Sequence, residues 1–438
     1  MFTSLHSAAA QGLAYKVRKL VRKGANVNAR ASDTEHTPLH EAAIAGHTET
    51  VKALLKYGAA DPNSRAKLGD TSLHYAATGG YQGIVNLLLA AGADVNSRGK
   101  DGATPLLCAA SEGYEGVVGQ LLAAGARVDE QREDGMSALL QAALEGHAKV
   151  IELLLDRGAD INSRRADGTP ALHLAAVQGH EGVVQVLLGR GVDVDISKGP
   201  QDPTTPLHAA AQEGQQGAVE LLLAAGADIS SRGKLGATPL LYAADRGHVG
   251  IVGQLLAAGA NVDERMEDGV SPLLRAAHQG HVQLVELLLD RGADVNLRSA
   301  DGSSALHDAA LMGHEEVVQV LLTVLLAAGG DVNGGGRLGA TALHCAALKG
   351  HSGVAELLLA AGADVNRSGK DGATALHYAA VNGHPGVARV LLSSGADVSS
   401  RLDNANTALH IAAQAGHPGM VEILLASGAD VNGRGGDV

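Results

Sequence analysis

Large aromatic side chains are almost missing from this 438-residue chain, with no Trp, one Phe and 2% aromatics in all. A core must therefore be assembled from Leu, Val and Ala, whose small volumes demand close approach of the elements that carry them. Cysteine is scarce as well. Cys108 and Cys345 are the only two, which excludes a disulfide-stapled scaffold and fits a reducing compartment. No long hydrophobic run occurs. The longest, Val317 to Ala328, is broken by Gln319 and Thr323 and is shorter than the roughly 20 apolar residues of a spanning helix. No secretory signal pattern opens the chain. Positive charge is in the minority, with a formal net charge of −13, which argues against a general affinity for nucleic acid or anionic lipid. The imbalance is uneven. Residues 1–30 hold Lys16, Arg18, Lys19, Arg22, Lys23 and Arg30 and no acid. That resembles a targeting leader in charge, but the segment also fits the repeat that runs through the rest of the chain, and the repeat reading is preferred.

Glycine is plentiful (58 residues) and recurs at fixed points. So does the segment Thr37-Pro38-Leu39-His40-Glu41-Ala42-Ala43. Its leucine returns as Leu5, Leu39, Leu73, Leu106, Leu139, Leu172, Leu207, Leu240, Leu273, Leu306, Leu343, Leu376 and Leu409, thirteen copies spaced mostly by 33 residues. A T-P-L-H-x-A motif at that period resembles the ankyrin-repeat family, and the likeness covers nearly the whole chain. The resemblance implies an all-α solenoid of helix-turn-helix pairs joined by β-hairpin turns, stacked as a curved right-handed array. It predicts one domain over residues 1–438, with 1–36 as an N-terminal capping repeat, 37–406 as internal repeats and 407–438 as a poorly capped final repeat.

The residues of one repeat explain its helices. Thr37 is placed to cap the first helix, and Pro38 to fill its first turn, where a missing N–H costs nothing. Leu39, Ala42 and Ala43 form an apolar stripe at i, i+3, i+4. Gly46 ends the helix. Val51, Leu54 and Leu55 form a second stripe, and Gly58 ends the second helix. Neither helix buries its stripe alone, so stability comes from stacking on neighbours. The first repeat's second helix, Tyr15 to Lys23, has a charged outer face suited to a cap. The last, with Met420, Val421, Ile423, Leu424 and Leu425, lacks a polar one. The expectation is that the chain continues in its natural context or that repeat thirteen frays.

Blocks of four repeats recur at an offset of 134: Gly99-Lys100-Asp101-Gly102 as Gly233-Lys234-Leu235-Gly236, and Val128-Asp129-Glu130 as Val262-Asp263-Glu264. A third, partial copy begins near Arg337. Two spacings depart from 33. Leu172 to Leu207 is 35, the excess falling in a loop with Pro200 and Pro203; Leu306 to Leu343 is 37. The latter predicts a second helix in repeat ten about one turn longer than its neighbours.

Twenty histidines invite a metal or catalytic reading, yet all but His36 and His278 fall into two repeat slots, after the motif leucine or after the helix-ending glycine. The resemblance implies structural hydrogen bonds for both. Leu107, Leu140, Leu241 and Leu274 replace the first histidine and put that bond in doubt there. No phosphate loop, zinc-type cysteine pair or nucleophile motif is present, and a calcium site at the acidic turns is opposed by Arg132 and Arg265 inside them. The two cysteines share one helix slot, where a small packing residue is the preferred reading over a reactive thiol. No cofactor or metal is expected, and no enzyme activity.

The slot after the first histidine varies, and the resemblance implies that it faces a concave groove. Among its occupants Tyr75, Tyr242, Arg275 and Tyr378 are hot-spot residue types. Turn tips alternate in sign: Arg98, Lys100, Arg232, Lys234, Arg367 and Lys370 against Glu130, Glu133, Glu264 and Glu267, a pattern suited to a basic or repetitive peptide, or simply to keeping a long stack soluble. The expected function is a non-catalytic, monomeric scaffold in the cytoplasm or nucleus. It would bind protein or peptide, without nucleic acid and without inserting in a membrane. The alternative is a recognition or regulatory segment of a larger enzyme, ubiquitin-ligase adaptor or channel.

Overall fold

Where the motif histidine is kept, a repeat typically starts from a reciprocal bond between a cap residue and the histidine three positions on. In the computed structural model Thr37 is extended (φ −91, ψ 165), and its backbone N–H donates to His40 Nδ1 at 3.0 Å. This capping box launches the helix Pro38–Ile44, whose Leu39, Ala42 and Ala43 are fully buried. Gly46 reverses the chain at φ +73. The second helix, Thr48–Gly58, buries Thr50, Val51, Ala53 and Leu54, while Leu55 is only half-buried.

The structure describes residues 3–433 and Gly435. Among them are twenty-six α-helices in thirteen pairs, from Ser4–Ala10 with Ala14–Arg22 to Ala408–Ala415 with Pro418–Ala426. Contacts divide the chain into two compact units, residues 1–210 with 215–227 and residues 211–214 with 228–438. Within each unit the first helices pack on first helices and the second on second, in two rows. The facing side chains are the alanines and leucines of the motif. Each fully buried leucine contributes about 1.5–3 kcal/mol, and alanine keeps the first-helix row close.

The links are turns without sheet. Pairing among the described residues is limited to five isolated bridges, such as Gln131 with Ser137 and Arg298 with Ser304. The 35-residue spacing lengthens the link between Glu181–Gly189 and Pro206–Glu213, where Gly199 bridges Asp202. The 37-residue spacing lengthens a helix. Glu315–Ala327 has 13 residues, against 9 in Val282–Asp290 and 9 in Ser352–Ala360. Leu321, Leu322 and Leu325 are all buried, so the inserted turn keeps the stripe in phase. In the final repeat Leu409, Met420 and Leu424 are buried, whereas Leu425 and Val431 are exposed. Residues 1–2 of the capping repeat, and 434 and 436–438 of the final one, lie outside the described residues.

Candidate interaction surface

The histidines settle into two structural roles. In the first slot Nδ1 typically accepts from the cap backbone, so the proton sits on Nε2, which in several repeats donates to a carbonyl of the following turn: His74 to Ala103 at 3.1 Å, His307 to Ala340 at 3.1 Å and His344 to Ala373 at 3.1 Å; at His40 and His377 Nε2 is buried without such a bond. Burial lowers His40, His173 and His307 to about 4 and also lowers His74, His344 and His377. In the second slot Nε2 donates backward to the preceding repeat's first helix, as from His147 to Ser111 at 2.8 Å and from His180 to Leu144 at 2.9 Å. At three of the four positions where leucine replaces the first histidine, half of the box survives; at Leu241 it does not, and Thr238 Oγ1 is buried without a partner. Thr104, Ser137 and Ser271 still accept the N–H of Leu107, Leu140 and Leu274, but the link to the next turn is gone. At His173 the cap is Pro170, which has no N–H to give, and Nδ1 is buried without a partner.

The turns are knitted by side chains whose charge suggested free tips. Arginine guanidinium groups reach the carbonyl of the next turn: Arg65 to Arg98 at 2.7 Å, Arg164 to Ser197 at 2.6 Å and Arg298 to Gly335 at 2.8 Å. Arg98 bonds Gln131 O at 3.1 Å and also pairs with Glu130. Arg232 pairs with Glu264 in the same way. Two of the basic tips are thus paired with acidic ones on the next turn, and Glu130 and Glu264 are engaged within the protein. Glu133 and Glu267 are exposed. Asparagines form a second ladder. Asn63 accepts from Asp94 N at 2.7 Å and donates to Gly92 O at 3.0 Å; Asn96 and Asn366 repeat the pattern.

The variable helix slot does not behave uniformly. Tyr75 packs edge-on against His40 with ring centroids 5.8 Å apart, and its hydroxyl meets His36 Nε2 at 3.1 Å. Tyr378 packs edge-on against His344 at 5.4 Å. Both fill space against the preceding repeat. Cys108 and Cys345 have thiols pushed up by burial, to about 11 and about 12, far from the thiolate range of reactive cysteines.

In the second unit the slot opens into two clefts that share Arg275. One, of about 200 Å³, is lined by Lys234, Leu235, Tyr242, Asp245, Met266 and Arg275. The other, of about 400 Å³, is lined by Arg275 and His278 together with Asp268, Asp301 and Asp308. Arg275 Nε lies 3.4 Å from Asp245, and its guanidinium touches Met266 sulfur at 3.5 Å. Asp308 is pushed up to about 6 by burial and by Asp301, against the opposing pull of Arg275. The fold thus brings Tyr242 and Arg275 together. It adds Asp245, Met266, Asp301 and Asp308, which the helix slot alone did not single out, and Asp268, beside Glu267 in an acidic turn legible as suited either to a basic peptide or to solvation.

A family model described as ankyrin repeats (3 copies) matches residues 5–99, 91–165, 162–233, 218–299, 240–333, 292–369, 323–402 and 368–434. No curated protein matches the chain.

Proposed function

The chain belongs to the ankyrin-repeat family, whose repeats are in general protein–protein interaction modules, and we propose that it is a non-catalytic, monomeric scaffold of thirteen repeats in one domain. It works in the cytoplasm or nucleus and seats an extended protein segment in the paired clefts around Arg275. The observation that carries this reading is the polarity of those clefts. Leu235, Tyr242 and Met266 line one cleft and Asp268, Asp301 and Asp308 the other, and Arg275 lines both. An apolar side chain suits the first cleft and a lysine or arginine the second, where a charge-assisted bond to a half-buried carboxylate is stronger than one in water. The site is supported on helices, which lowers the ordering cost of binding.

Selection of displayed random peptides on the full chain, with counter-selection on Asp301→Asn/Asp308→Asn, tests the reading. Enriched peptides are expected to pair an apolar residue with a basic one and to bind the variant about tenfold or more weakly, the loss of one charge-assisted contact. Peptides without a basic residue, or unaffected by the variant, would overturn it.

A further inference from the structure

The acidic net charge conceals one strongly basic face. The second helices of the first two repeats, Ala14–Arg22 and Thr48–Gly58, pack side by side. With the adjoining Lys23 they carry Lys16, Arg18, Lys19, Arg22, Lys52 and Lys56, against one acid, Glu49. Among the described residues none of these seven cations is in an ion pair. Three large apolar groups stand exposed among them: Leu13 at 41%, Tyr15 at 79% and Tyr57 at 50%. Arg18 and Lys56 both lie over the Tyr57 ring, 5.9 and 5.5 Å from its centre.

We propose that this face is a peripheral docking surface for an anionic membrane. The occupant follows from the layout. The cations are spread over two adjacent helices rather than converging on a point, so they match a plane of headgroups better than a single phosphate or carboxylate. Helices of this length run about 14–16 Å, at about 8–10 Å between axes, an area that spans several lipids. Tyrosines suit the headgroup layer, where the ring is half in hydrocarbon and the hydroxyl is in water. Each cation near an anionic leaflet contributes to adsorption, and the apolar residues add the second signal that stable peripheral binding needs. The rest of the chain holds the whole acidic excess, so attraction to an anionic surface rests on this face alone. This surface lies in the first unit and shares no residue with the clefts around Arg275 in the second.

The test is co-sedimentation of the full chain with vesicles of phosphatidylcholine alone and of phosphatidylcholine containing phosphatidylserine. Binding is expected only to the second kind and is lost at high salt, where screening shortens to a few ångströms. Lys16→Glu/Lys19→Glu/Lys23→Glu should weaken it about a hundredfold or more with an unchanged thermal melt. If that variant does not fold, Lys52→Gln/Lys56→Gln replaces it, with an expected loss of about tenfold or more. Arg389→Glu, an isolated exposed cation on a later second helix, should bind as wild type does. Failure of wild type to sediment, equal sedimentation of the folded charge variants, or capture by polyglutamate or RNA while vesicles are left in solution would each overturn the proposal.

Discussion

A buried histidine of the first slot stays neutral because burial disfavours its charged form and, at His40 and His307, because Nδ1 accepts a backbone N–H. His40, His173 and His307 lie at about 4 in the folded chain against 6.5 unfolded. Between those values the unfolded chain takes up protons that the folded one does not. Stability is therefore complete above pH 6.5 and is lost progressively down to pH 4, by on the order of 3 kcal/mol per histidine. Urea unfolding at pH 7 and pH 4.5 should show a large drop in midpoint, and His40→Leu, copying the natural Leu107 arrangement, should flatten the slope. Pro170 makes a converse case. Pro170→Thr would supply the N–H that His173 Nδ1 lacks and should raise stability by about 1 kcal/mol, read as a higher urea midpoint. Asp308 carries the same logic to binding. It is half protonated near pH 6, so affinity for a basic peptide should fall as pH drops below 6 and hold above 7, and Asp308→Asn should remove that dependence; isothermal titration at both pH values checks it.

Helix ends are set by glycine for two separable reasons. Gly146 has φ +86, and a Cβ there would lie 2.7 Å from the His180 ring. Gly125 has φ +92 but open space around it. Gly146→Ala should cost roughly 2–4 kcal/mol, strain plus collision, while Gly125→Ala should cost only about 1–2 kcal/mol, the left-handed penalty alone; thermal melts of the two variants separate the terms. Helices were the legible part of this sequence, down to the extra turn of Glu315–Ala327, because a 33-residue frame makes any insertion visible. The turns were less so. Arg98 and Glu130 read as tips of opposite sign, although their recurrence as Arg232 and Glu264 at one common offset was available as a hint of pairing. Arginine-to-carbonyl bonds leave no mark in composition, since the acceptor is backbone. Of the slot residues, Tyr242 and Arg275 share a cleft while Tyr75 and Tyr378 pack on histidines, a difference decided by which residue precedes each one in space rather than in sequence.

At the scale of the whole chain, each row of helices gains its core only from its neighbours. Leu139→Ala, at a fully buried motif position, should cost about 2–5 kcal/mol. Hydrogen exchange should show the loss centred on the fifth repeat and its flanking repeats, fading with distance along the row; uniform loss of protection would contradict nearest-neighbour stacking. The ion pair of Arg98 with Glu130 and that of Arg232 with Glu264 are one joint occurring twice, 134 residues apart. Excising residues 99–232 would leave Arg98 facing Glu264, so the splice comes with its fastening already made. A gene built this way can gain or shed a whole cassette by unequal crossing-over without evolving a new seam.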